Sequence, residues 1–139
     1  MTTMTKPEYK TPSDMAEGNA TAAAVSAAPL VGTWTNTDAE TRGLVKIAIA
    51  ASGTSISIDA FGACTPTPCN WGTVSGLAYA NSVTSTNGVA FSAQYQFGFK
   101  NTIVTGHLQD NRLLVVETFD HFTDGSGRSN YYSQYTMHR

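Results

Sequence analysis

Charge is scarce in this chain: Asp, Glu, Lys and Arg together make up 13% of its 139 residues, and the formal net charge is -2. The eight Lys and Arg residues are scattered without a cluster. Nucleic-acid binding, which depends on neutralising phosphates with a basic patch, is therefore not expected. Long apolar runs are missing too. The longest candidate, residues 44–51, is broken by Lys46 and falls far short of the roughly 20 residues a membrane helix needs, so no membrane span is expected. Cysteine is limited to Cys64 and Cys69, with no Cys or His pair nearby to complete a zinc site. A nucleophile elbow, a phosphate-binding Gly loop and a metal motif are likewise absent, and neither metal nor cofactor is implied.

The first residues lack the layout of a secretory signal, a basic start running directly into an apolar stretch of about 7–15 residues. Lys6, Glu8, Lys10, Asp14 and Glu17 occupy that region instead. Residues 1–29 read as a flexible N-terminal arm with room for a short helix after Ser13, and a cytoplasmic location is the expectation. Asn19-Ala-Thr21 fits the glycosylation acceptor pattern, which matters only in a eukaryotic secretory protein.

What is present is a β texture. With 41% apolar residues, the chain is long enough to bury one hydrophobic core without disulfides. From Val31 onward Thr, Val, Ile, Tyr and Phe come in short runs punctuated by Gly, Asn, Asp, Ser and Pro. The runs predict strands over 32–36, 44–51, 55–61, 71–79, 89–97, 99–108, 112–122 and 129–139. The turns at 51–54, 81–88, 109–111 and 123–127 are rich in residues that tolerate tight or left-handed backbone, and none leaves room for a crossover helix. Residues 30–139 are thus expected to form an all-β domain, an eight-stranded antiparallel up-and-down β-barrel.

Alternation assigns faces. In the second run Leu44, Lys46 and Ala48 share one face, and Val45, Ile47 and Ile49 share the other, read as inward. In the fifth, Phe91, Ala93, Tyr95 and Phe97 oppose Ser92, Gln94 and Gln96. The pattern suits an apolar cup for a hydrophobic or aromatic small molecule, or equally a barrel filled by its own side chains.

The first run reads Leu30-Val-Gly-Thr-Trp-Thr-Asn36 and the chain ends Tyr135-Thr-Met-His-Arg139. Gly32-x-Trp34 at the start of a barrel, with a basic residue at the end of its last strand, resembles the calycins, the lipocalins and avidins. The resemblance implies structural roles for Trp34 and Arg139, with the indole closing the barrel floor beneath the Arg side chain. It also implies a ligand contact for Asn36, which stands where an avidin residue meets biotin. The Gly-Ser that follows in avidins is replaced by Thr37-Asp-Ala-Glu-Thr41, so biotin itself is not expected. The lipocalin Thr-Asp-Tyr motif is not reproduced either, since Thr123-Asp124 continues into Gly125.

Candidate site residues follow from these placements. Trp71 and Phe61 bracket Cys64-Thr-Pro-Thr-Pro-Cys69 and read as rim aromatics that contact ligand or cap the core. Phe91, Tyr95 and Phe97 line the cup, and Tyr135 belongs with Tyr131 and Tyr132 to a Tyr-rich last strand that also offers a surface for glycan or protein recognition. Cys64 and Cys69 can close a disulfide if Pro66 and Pro68 bend the loop back, can remain free thiols, or can carry chemistry. For an enzyme of the cyclase or isomerase type, an interior carboxylate would supply acid–base catalysis, with Glu117 and Asp59 as candidates. Strand seven divides into Val115, Glu117, Phe119 and His121 on one face and Val116, Thr118 and Asp120 on the other. Glu117 and His121 are about 13 Å apart along a strand and form no direct dyad.

Overall fold

The computed structural model describes residues 24–52, 55–110 and 112–139. The expected helix after Ser13, the Asn19-Ala-Thr21 acceptor and most of the expected arm lie outside them. A one-turn 3-10 helix, Ala28–Leu30, leads into β1 (Gly32–Asn36), β2 (Leu44–Ser52), β3 (Ser55–Gly62), β4 (Cys69–Tyr79), β5 (Ala90–Gln96), β6 (Lys100–Gln109), β7 (Leu113–Phe122) and β8 (Tyr131–His138). Each strand pairs antiparallel with the next, and β8 returns to β1, so the sheet closes as an eight-stranded up-and-down barrel. Closure removes the unpaired edges that an open sheet of this size would expose.

Two irregularities reset the alternation. Between Leu44 and Lys46 the β2–β3 register shifts. Leu44 is consequently fully buried together with Ile47 and Ile49, and does not share the outer face of Lys46 and Ala48 as strict period two predicts; a bulge inserts one residue and restores the inward phase afterwards. A second shift separates Asp59 and Phe61 on the β3–β4 seam. It lies where β4 starts at Cys69, two residues earlier than expected.

One end of the barrel is sealed. Trp34 is wholly buried, its Nε1 donates to the Leu30 carbonyl at 2.9 Å, and the Arg139 guanidinium lies 4.2 Å from the ring centre. The same guanidinium donates to the carbonyls of Pro29 and Val31, at 3.0 and 3.1 Å. Residues 26–30 are part of this seal. Ser26 bridges Asn87, its N–H donates to the Thr86 carbonyl, and Ala27 and Leu30 are buried. Their apolar side chains gain more beneath the barrel than in water. Above the floor Ile47, Ile56, Ile58, Phe91, Val104, Leu114, Val116 and Met137 fill the interior. Gly106 opposes Phe91 in the β5–β6 register, and the Phe91 ring occupies the space a side chain would take there.

Candidate functional site

The opposite end stays open, framed by the connections 37–43, 63–68, 97–99 and 123–130. Here the inward-facing positions change from aliphatic to aromatic and polar. Tyr95 and Phe97 stack at 5.4 Å with planes 5° apart, and the series continues through Phe99, Phe122 and Tyr131 at centroid spacings of 6.3, 6.5 and 6.1 Å. Trp71 sets its edge against both Tyr95 and Phe97, with planes at 87°. A ladder of rings thus climbs from the core to the rim.

Lys100 stands inside this ladder. Its Nζ is 5.6 to 5.9 Å from the ring centres of Trp71, Phe97, Phe99 and Phe122, and 3.2 Å from Asp120 Oδ1. Both side chains are largely withdrawn from water, 15% and 5% exposed. Such a pair is tenable only when both charges are well partnered. Here the rings present their negative faces to the ammonium, and Asp120 also accepts a hydrogen bond from Thr102 Oγ1. No buried side-chain nitrogen or oxygen among the described residues lacks a partner.

Between these groups lies a cavity of about 240 Å³, bordered by Trp71, Lys100, Asp120, Tyr131 and Tyr135, with Arg42 at its edge. Cys64 and Cys69 are joined by a disulfide that forms part of its wall. A neighbouring hollow of about 170 Å³ lies between Trp71, Phe97, Phe99 and Lys100. Burial and the adjoining Asp120 carboxylate raise the Tyr131 pKa, so its hydroxyl stays protonated well into the alkaline range. The Tyr95 hydroxyl is pushed up to about 12, chiefly by burial; it accepts from the Ala60 N–H and sits 2.9 Å from the Gly72 carbonyl, to which it donates. No group of three or more potential metal-ligating side chains occurs among the described residues.

The structure brings Trp71, Phe97 and Tyr135 to the mouth and takes other candidates elsewhere. Tyr95 and Phe91 are core residues, buried at the base of the ladder and above the floor. Phe61 lies on the outer face, under Lys46 Nζ at 4.6 Å, because Ala60 and Gly62 take the inward positions beside it. Asn36 is buried but committed to the backbone: its Nδ2 donates to the Leu44 carbonyl and its Oδ1 accepts from the Asp38 N–H, both at 2.8 Å.

Glu117 and Asp59 are not interior carboxylates. Glu117 accepts from the Tyr132 hydroxyl at 2.6 Å on the outer face, and Asp59 accepts from Thr73 Oγ1. The register of β7 against β6 and β8 turns Val116, Thr118 and Asp120 inward, so Asp120 is the acid within the barrel. Lys100 and Arg42 are mouth residues that sequence reasoning passes over, and Tyr131, expected only as part of a recognition surface on the last strand, joins them there. The signal for Lys100 is faint: Phe97-Gly-Phe-Lys100 places a cation directly after two aromatics at a turn, where Gly98 adopts φ 90°. No helix among the described residues is long and apolar enough to cross a membrane. No protein-family model, no curated protein and no solved structure matches this chain.

Proposed function

We propose that this barrel is a small-molecule binding protein whose site is the mouth cavity, and that its ligand is a compact aromatic molecule. The observation that carries the reading is the cavity bordered by Trp71, Tyr131 and Tyr135 above the Lys100–Asp120 pair. Ligand sites are typically concave, mainly apolar and supplied with a few convergent polar groups. A space of about 240 Å³ lies below the usual range for drug-sized ligands, roughly 300–1,000 Å³, and so favours one or two fused rings. Stacking against these aromatics would add about 0.5–1.5 kcal/mol per ring beyond burial alone. The up-and-down closure and the Trp34–Arg139 floor support the further reading that the chain is related to the calycins.

Fluorescence titration of the full chain with one- and two-ring aromatic compounds tests this, because Trp71 borders the cavity whereas Trp34 is sealed at the far end. Saturable quenching or a spectral shift, lost in Trp71→Phe, is the expected result. An unchanged spectrum across the panel, or a response that persists without Trp71, would sink the reading.

A second reading has one observation in its favour: the Asp120 carboxylate and the Lys100 ammonium place a base and an acid against the same cavity, as acid–base turnover of a small apolar substrate in a cyclase or isomerase would require. It makes Asp120, not Glu117 or Asp59, the group to test. Undiminished turnover in Asp120→Asn would remove it.

A further inference from the structure

On the outer wall, adjoining the mouth cavity where Asp120 and Tyr131 border both, four strands place Gln94, Ile103, Phe119 and Tyr132 opposite one another in a single rung. Gln96, Asn101 and His121 make the adjoining rung, about 7 Å along the strands. Apart from Gln96, these residues line a groove of about 360 Å³ that Asn130 and Tyr131 also border. Its apolar members are unusually bare: Ile103, Phe119 and Tyr132 are 45%, 42% and 51% exposed.

Exposed rings are commonly mobile, but Tyr132 is pinned. Its hydroxyl donates to Glu117 Oε2 at 2.6 Å and accepts from Gln134 Nε2 at 3.2 Å, while its ring leans on Phe119 at a centroid spacing of 5.3 Å. With the hydroxyl already committed on both counts, what Tyr132 offers a ligand is the face of its ring. The surrounding donors and acceptors are uncharged amides and an imidazole. Asp120 also borders the groove, but its carboxylate is taken by Lys100 and Thr102.

From this combination we infer that the outer groove is a binding site for a neutral oligosaccharide. A sugar ring has an apolar face of C–H groups that packs on fixed aromatic rings, and an edge of hydroxyls that pairs with amides such as those of Gln94 and Asn101. Among the described residues no Lys or Arg lines the groove, so none of them selects for an acidic ligand there. Three inter-strand spacings give the rung a length of roughly 14 Å, enough for about two or three sugar units. A second copy of the chain is a poorer occupant, because a stable dimer needs about 800 Å² of complementary surface from each partner and this apolar rung is one residue wide.

Titration of the full-length chain with neutral cello-, xylo-, chito- and manno-oligosaccharides, followed by two-dimensional amide NMR, tests the inference. Saturable shifts centred on Ile103, Phe119 and Tyr132 are expected for at least one series, with a Kd on the order of 1 mM. Tyr132→Phe keeps the ring and should bind within about threefold of the parent, whereas Tyr132→Ala should bind roughly tenfold more weakly or not at all. Equal binding by both variants would overturn the stacking argument. Absence of shifts with every series, or shifts that track protein concentration alone, would overturn the site, the latter by showing that the face mates with another copy. Trp71 emission should stay unchanged throughout, which keeps this site separable from the mouth.

Discussion

At Trp34 three interactions converge: complete burial, a hydrogen bond to the Leu30 carbonyl and the Arg139 guanidinium over the ring. Trp34→Ala should therefore cost about 3–5 kcal/mol, a large share of the roughly 5–15 kcal/mol typical of a whole domain, and urea denaturation would read the loss directly. Truncation of the Arg139 side chain should cost less, since the residue is exposed and its donors can pair with water. Tyr95 supplies a second residue-scale expectation, this one in pH. Its folded-state pKa of about 12 lies above the ordinary value of 10.0, so the folded chain holds a proton that the unfolded chain releases. The associated stability is intact below pH 10.0 and declines as pH rises toward about 12, with a limiting slope of about 1.4 kcal/mol per pH unit. Tyr95→Phe should flatten denaturation midpoints above pH 10.0. At neutral pH it should cost about 1–3 kcal/mol, because the Ala60 N–H loses an acceptor. An unchanged alkaline slope would show that Tyr95 does not govern it.

Among the strands, β5 and β6 meet most tightly where Phe91 crosses Gly106. A Cβ at that position would come within 2.3 Å of Phe91 Cε2. Gly106→Ala is expected to destabilise by about 1–3 kcal/mol through overpacking, and Phe91→Leu in the same chain should recover part of it, a coupling that a double-mutant cycle measures. Additive losses would mean that the contact is not the cause. This scale is also where legibility from sequence divides. Eight strands in meander order could be read because turn residues mark the reversals at 51–54, 81–88, 109–111 and 123–127 and none of these leaves room for a crossover helix. Faces could be read on β5, where period two runs unbroken from Phe91 to Phe97. On β2 they could be read from Lys46 to Ile49 but not at Leu44, which a bulge adjoins, and they could not be read on β7, where both residue sets mix polar and apolar members and only pairing with Thr102 and Tyr131 decides for Asp120. At the mouth, Trp71 was legible as a rim aromatic, whereas Phe97 reads from sequence as a lining residue of the cup and Tyr135 as a member of the Tyr-rich last strand. Its charged centre was not, since Lys100 and Asp120 lie on different strands and only barrel closure brings them within 3.2 Å.

For the molecule as a whole, closure is the constraint that makes distant segments depend on one another. The seam is its narrowest part: β1 and β8 pair through Thr35 and Asn36, whereas β6 and β7 remain paired from Lys100 to Gln109. Native-state hydrogen exchange should accordingly find the β1–β8 amides opening at lower free energy than those of β6 and β7. Uniform protection around the barrel would indicate that the sheet opens only as a unit. The floor carries a further consequence of a practical kind. Strand β1 enters the barrel and β8 leaves it at the same pole, where Arg139 reaches back to Pro29 and Val31. A support or reporter coupled beyond Arg139 would hang from that pole like the stem of a goblet, leaving the open bowl, rimmed by Trp71 and Tyr131, turned toward the solution.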